Sequence, residues 1–234
     1  MTATSGYESC LSFISGQARA GGLLEPEKAR GICRAITISR QAGCGALVVA
    51  EKVANLLQSH VANDAPSWTV FDQNLMAKVL EDHNMPKYLA RFLPEDRVSQ
   101  FEDFLAELSA MYPPSYTVVE HMSETIFELV NRGNVILIGR GANLITSRLP
   151  HILHVRLVAP FERRVAFSCE AYHKTAVEAR EFCRREDLGR LRYLKKHFNA
   201  DIEDPLLYHM VINTAMTGYD GAAKLIADAA MDEA

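Results

Sequence analysis

The run Ala35–Leu57, AITISRQAGCGALVVAEKVANLL, constrains this chain more than any other stretch. Ala35–Ser39 is short, apolar and rich in β-branched residues, which predicts a buried strand. Arg40–Gly45 then supplies Gly43 and Gly45, and glycine takes backbone angles closed to other residues. From Ala46 the period changes: Val49, Val53, Leu56 and Leu57 recur at spacings of three and four, the pattern of a helix. Where a strand and a glycine loop lead into a helix, free N–H groups meet the positive end of the helix dipole, and an anion such as phosphate fits there. A glycine-containing turn that binds nothing is the alternative, and short glycine motifs leave both open.

The side chains depart from the usual phosphate loop. The form G-x-x-x-x-G-K-[ST] places a lysine on the terminal phosphates and a hydroxyl on Mg²⁺. With Gly45 as the last loop glycine, Arg40 stands at the first-glycine position, Ala46 at the lysine and Leu47 at the hydroxyl. A backbone cradle over Ser39, Arg40, Gln41, Ala42, Gly43, Cys44, Gly45, Ala46 and Leu47 is kept; the two side-chain functions are not.

Five short apolar runs alternate with helical patterns along the chain, which predicts an α/β sandwich on a parallel sheet. Trp68–Phe71 is the second strand, with Asp72 at its carboxyl end, where ligands of open α/β sheets sit. Asp72 there either accepts hydrogen bonds from a sugar or base or caps a helix over Asn74–Glu81. Residues 84–116, punctuated by Pro86, Pro94, Pro113 and Pro114, read as a helical insertion. A long helix over Tyr116–Arg132 points Val119, Ile126, Phe127 and Val130 inward and ends at Gly133. Asn134–Gly139 is a third strand that runs into Arg140-Gly141-Ala142-Asn143. There Arg140 suits planar recognition of a phosphate or base edge, or else forms a surface ion pair.

His151–Val158 is a fourth strand, followed by a helix from Pro160 through Tyr172. His151, His154 and His173 lack metal-ligand spacing and read as structural. Thr175–Phe198 reads as a helical pair or a long broken helix; Thr175 and Glu178 form a capping box, and Gly189 offers a hinge. His209–Thr214 is the fifth strand, and Tyr219–Ala230 closes the chain with Ala222, Leu225 and Ile226 inward.

Charge is uneven. Arg156–His197 carries 11 Lys/Arg against 6 Asp/Glu, a local +5 on a chain of net −4. Arg184, Arg185, Asp187, Arg190 and Arg192 crowd around Gly189. Such clusters stabilise a transferring phosphoryl group when they reach it, though a solvated helix face shows the same composition. The acidic total and the lack of a recognisable module speak against nucleic acid as partner. No apolar run approaches the ~18 residues of a membrane span. Cys10, Cys33, Cys44, Cys169 and Cys183 show neither paired spacing nor a zinc pattern, and no signal-peptide pattern opens the sequence. A reduced, cytoplasmic protein of one domain is the expectation.

In order, ITISRQAGCG, FDQNL, VILIGRGAN, REDLGRLRYLKKHF and DPLLYHMVINT resemble the landmarks of the cytidylate kinase-like proteins, a branch of the P-loop nucleoside monophosphate kinases. The resemblance covers roughly 35–230, after an N-terminal extension at 1–34. It implies a P-loop-type three-layer α/β/α sandwich with a five-stranded parallel sheet. It further implies transfer of the γ-phosphoryl of ATP to a nucleoside monophosphate such as CMP or dCMP, with Mg²⁺. On this reading Ser39–Leu47 holds the ATP phosphates. Asp72, Arg140, Gly141 and Asn143 meet the acceptor, and 84–116 is the acceptor-binding insertion. Within a basic lid at 175–200, Arg184, Arg185, Asp187 and Arg190 do the catalytic work, with Arg40 partly replacing the lysine. The sequence departs from the family's Gly-Lys, or Gly-Gly-Arg, after the loop, and from the Asp that follows Gly-Arg. Those departures leave room for a different small acceptor, or for a non-catalytic nucleotide sensor or scaffold.

Overall fold

In the computed structural model, the structure describes residues 35–61, 67–72, 123, 126–127, 129–131 and 133–232. The N-terminal extension, the Asn74–Glu81 helix, the 84–116 insertion and Val119 lie outside the described residues.

Five parallel strands form one sheet in the order β2-β3-β1-β4-β5. They are β1 Ala35–Arg40, β2 Thr69–Phe71, β3 Val135–Ile138, β4 Ile152–Val158 and β5 Met210–Asn213. Helix α1 spans Ala46–Gln58, α2 Ala142–Ile145, α3 Phe161–Tyr172, α4 Ala176–Phe198 and α5 Thr214–Asp232, the last broken by a kink at Gly218 (φ 67°). A 3₁₀ turn, Pro205–Leu207, precedes β5. The α/β reading, the five strands and their parallel pairing are as the sequence predicts.

Alternation along β1 divides the core. Ile36 and Ile38, with Ile136, Ile138, Leu153, Val155 and Leu157, face the layer of α1 and α5. Ala35, Val135, Leu137 and Ile152 face the opposite layer, where Ile126, Leu129, Ala142, Tyr193 and Leu194 pack. Each fully buried Leu, Ile or Val contributes roughly 1.5–3 kcal/mol of transfer free energy. On that second face the centre of the sheet is polar. Thr37 Oγ1 bonds His154 Nδ1 at 2.8 Å, and Arg156 donates to Ser39 Oγ at 3.0 Å across the β1–β4 register. The single tryptophan, Trp68, is buried ahead of β2 in the α1 layer, with its backbone N–H on the Gln58 side chain at 2.9 Å.

Three details differ from the sequence pattern. Phe127 is exposed and Leu129 fills the inward place, because the helical face is rotated from the one the spacing suggested. Leu225 is also exposed; Ala222 and Ile226 face inward as the spacing suggests, joined by Ala223, Ala227 and Ala230. Finally, α4 is one unbroken helix rather than a broken pair. Its Thr175–Glu178 capping box is present, its last turn carries Lys195, Lys196 and His197, and Gly189 lies buried within it. A helical glycine costs about 1 kcal/mol against alanine, and the length and both helix ends outweigh that here.

Candidate active site around the glycine loop

The connections out of β1 and β3 leave the sheet on opposite faces, α1 on one and α2 on the other. Adjacent strands that part in this way open a crevice at their carboxyl ends, the place where ligands of open α/β sheets bind. The loop after β1 lies in that crevice.

The loop takes left-handed angles at Gly43 and Gly45, with φ of 75° and 78°. Both positions require glycine. A Cβ on Gly43 would fall 2.3 Å from the Arg164 carbonyl oxygen, and one on Gly45 would fall 2.5 Å from the Tyr219 ring. Gly45 caps α1 with no side-chain hydrogen bond, and no acidic residue occupies the first turn. The positive end of α1 is thus left to an anion.

Four elements hold the loop in shape. Gln41 N–H donates to Leu157 O at 3.0 Å, and the Gln41 side chain accepts from Ala159 N–H at 3.1 Å. Thr214 Oγ1 donates to Cys44 O at 3.0 Å. Tyr208 and Arg156 both donate to Ser39 Oγ. Arg164, buried on α3, donates to Ala42 O, to Ala159 O and to Asp187 Oδ2 at 3.1, 3.0 and 2.6 Å. Asp187 in turn accepts from Ala42 N–H at 2.7 Å. The carboxylate and guanidinium clip α4 and α3 to the middle of the loop.

The sequence-predicted residues divide. Arg40 and Asp72 meet at 3.6 Å across the carboxyl edge of the sheet. Arg190 reaches the same region, with Asp187 at 3.5 Å and Glu186 at 3.1 Å. Arg184 and Arg185 are exposed: Arg184 sits over the Phe161 ring at 5.3 Å, and Arg185 lies 3.9 Å from Glu186. Arg140 follows β3 with φ 60°, and Gly141 caps α2 with φ 69°, backed by the Phe198 ring. Asn143 is 5% exposed and lines a separate cavity with His154 and Tyr208. Ala46 is buried and Leu47 exposed, and neither offers a polar side chain.

Electrostatics follow burial. The Cys44 thiol is pushed up to about 11 by burial, against Arg40, Arg190 and Arg164, so at neutral pH it is a protonated wall and not a nucleophile. Burial raises Tyr172 as well, and the charges of Asp72, Arg190 and Arg40 all act on its phenol, which places it beside the crevice. Its ring continues an aromatic row, Tyr219–Phe167–Tyr172–Phe182, at centroid distances of 5.8, 6.3 and 5.3 Å.

Arg164, Tyr172 and Tyr219 are missing from the sequence reading. The one available signal is helical phase: Phe161, Arg164, Val165 and Ser168 share a face of α3, and an arginine on an apolar face demands buried partners.

The sequence profile of the cytidylate kinase-like family matches residues 35–216. The chain belongs to the cytidylate kinase-like family. No curated protein matches the sequence. Among solved structures, an uncharacterized protein from Eubacterium ventriosum ATCC 27560 superposes with a TM-score of 0.60 at 16% identity, covering 84% of this chain and 97% of that one. It is similar in fold. A shikimate kinase from Acinetobacter baumannii, in complex with shikimate, gives a TM-score of 0.47 at 16% identity, covering 87% and 96%. A shikimate kinase from Bacteroides thetaiotaomicron gives 0.46 at 12%, covering 84% and 97%. This member of the cytidylate kinase-like family thus has the family's kinase-like α/β fold. No helix among the described residues is long and apolar enough to cross a membrane.

Proposed function

We propose that the protein binds the phosphates of ATP on Ser39–Leu47 and transfers the γ-phosphoryl group to a nucleoside monophosphate, most simply CMP or dCMP. The observation that carries this reading is the meeting of Arg40, Asp72, Arg164, Asp187 and Arg190 around one glycine loop at an uncapped helix start. Phosphoryl transfer needs positioning and charge neutralisation more than covalent chemistry, and arginines beside backbone amides supply both.

ATP supplies the phosphoryl group, and the loop fits it: the backbone of Gly43–Leu47 faces an open helix end. Arg40 takes over part of the charge of the missing lysine from within the loop. Arg190, together with the basic segment 175–200 as a lid, faces the transferring group. Asp72 and Arg140 sit at the carboxyl edge on the acceptor side, and Asp72 holds Arg40 in place. A metal held by protein ligands does not fit here. Leu47 replaces the hydroxyl, Asp187 is taken up by Arg164 and the loop, and no group of three or more ligating side chains occurs among the described residues. Mg²⁺ is therefore assigned to the nucleotide and no step is derived through it.

A second reading, a nucleotide sensor without turnover, is favoured by Ala46 and Leu47 alone. A coupled ADP-release assay with ATP and Mg²⁺ against CMP, dCMP, UMP and AMP, beside thermal-shift titrations, separates the two. Turnover with CMP above the others supports the kinase. Stabilisation by ATP with no turnover supports the sensor, and neither signal removes both.

A further inference from the structure

A cavity of about 510 Å³ lies between α2, the first half of β4 and the 205–209 turn. It is set apart from the glycine loop: the loop leaves the carboxyl end of β1, whereas Ile152 and His154 belong to the amino-terminal half of β4. Of the residues assigned to the nucleotide from the sequence, Asn143 alone lines it, and the inference does not rest on that reading.

Its walls divide about evenly between apolar and polar side chains. Leu144, Ile152 and Leu207 supply apolar surface. His154 is 7% exposed, and its Nδ1 is taken by Thr37 at 2.8 Å, so Nε2 is the ring nitrogen left for an occupant. His209 stands beside it, ring centroids 5.0 Å apart, and accepts the His154 backbone N–H through Nδ1 at 2.9 Å. The Asn143 side chain is equally buried, and its amide nitrogen has no partner. Folded proteins leave few buried polar groups unpaired, and each asks for an explanation. Among the described residues, no Lys, Arg, Asp or Glu lines the cavity. Burial and the neighbouring His209 lower the His154 imidazole to about 4, so its ring is uncharged at neutral pH. A charged occupant would lose its hydration with no counter-charge in return.

We propose that this cavity is a second binding site, for an uncharged, planar small molecule that presents an apolar face together with a carbonyl or amide group. The volume lies within the usual range for small-molecule sites, which combine apolar walls with a few placed polar groups. The planar body lies among the leucines and Ile152, and the polar group meets His154 Nε2 and the Asn143 amide.

Benzamide is the probe, and benzoate, the same ring bearing a charge, its control. The full chain is labelled with ¹⁵N-histidine, and His154→Gln identifies the His154 signal. Benzamide is expected to shift the His154 ring nitrogens saturably, with benzoate at least about ten-fold weaker because its charge is left unpaired. Ser147→Trp, at the cavity wall, and Leu206→Trp, at its exposed rim, are each expected to abolish the shift. Far-UV circular dichroism shows which of the two is folded. No saturable shift at His154 up to the solubility limit of benzamide, equal binding of benzoate, or an unchanged shift in a folded tryptophan variant each overturns the proposal.

Discussion

The chain makes the same kind of exit from its sheet twice. After β1 and after β3, an arginine is followed by a left-handed glycine that caps a helix without a side-chain bond: Arg40 and Gly45 in one, Arg140 and Gly141 in the other, where Arg140 is itself left-handed at φ 60°. Each glycine lies against an aromatic ring, Tyr219 for Gly45 and Phe198 for Gly141. The exits differ in the length between the two residues and in what grips them. Four residues separate Arg40 from Gly45, enough chain to curve around an anion, and α1 then runs for 13 residues. Arg140 adjoins Gly141 directly, and α2 lasts four residues. The first turn is bound by Arg164, Asp187, Gln41 and Thr214 from three other elements and from within the loop; the second is tied to β1 through Gly139 N–H on Ile38 O at 3.0 Å. The same backbone device can build a cradle only where the loop is long enough and is held open from outside.

Removing the clamp should break the contrast most strongly. Arg164→Ala takes from Asp187 its 2.6 Å partner, leaving Arg190 at 3.5 Å, and strips Ala42 O of a donor. It is expected to destabilise by about 3 kcal/mol, the low end of the cost of breaking one side of a buried ion pair. Urea denaturation measures this; a loss no larger than that of an exposed control such as Arg180→Ala would show that the clamp carries no weight.

The next effect is set by pH. His154 has a folded value of about 4 against an ordinary 6.5, so the unfolded chain binds its proton first as pH falls. The contribution of the neutral ring is complete above pH 6.5 and is lost progressively toward pH 4, by about 3 kcal/mol in all. His197, also lowered by burial, adds in the same direction. His154→Gln should flatten the denaturation midpoint between those limits. Because His154 bonds Thr37 of β1, amide protection factors should fall in β1 before β3 as the pH drops.

Activity then separates the two arginines. Arg40→Ala is expected to lower kcat on the order of 10²-fold, the scale of removing one transition-state charge donor. Arg140→Ala should act mainly on the KM of the monophosphate. Full turnover in Arg40→Ala would remove Arg40 as the substitute for the lysine.

The smallest effect is expected at the second turn. Gly141→Ala imposes a left-handed angle on a residue with a Cβ, at about 1–2 kcal/mol, and Phe198, half-buried, has room to turn aside. Gly43→Ala should cost more than this, since the atom it meets belongs to the Arg164 backbone. A reversed order in thermal unfolding would contradict the contrast between the two turns.

How much of this was legible in the sequence depends on the range of the interactions. The five strands and α1 could be read, because period and glycine placement are local. The glycine loop itself was legible for the same reason. Arg164 was not, because Arg163 and Arg164 are adjacent and only packing decides which one turns inward. The polar centre of the sheet was not legible either: Thr37 meets His154 117 positions away. Asn143 reads as a neighbour of Arg140 along the chain, yet one turn of α2 is enough to bury it beside His154. Leu225 matched the helical period but is exposed, because which side chains of α5 meet α1 is a property of both helices together.

The lone tryptophan carries a practical consequence. Trp68 is buried in the layer that also contains Val53 and Leu57 of α1, the helix whose first turn closes the glycine loop. Its emission therefore originates from one place, and its indole N–H has no hydrogen-bond partner. A blue-shifted spectrum that moves red when α1 separates from β2 would report on the footing of the loop without any label. The chain is thereby equipped with its own optical gauge for every titration described above.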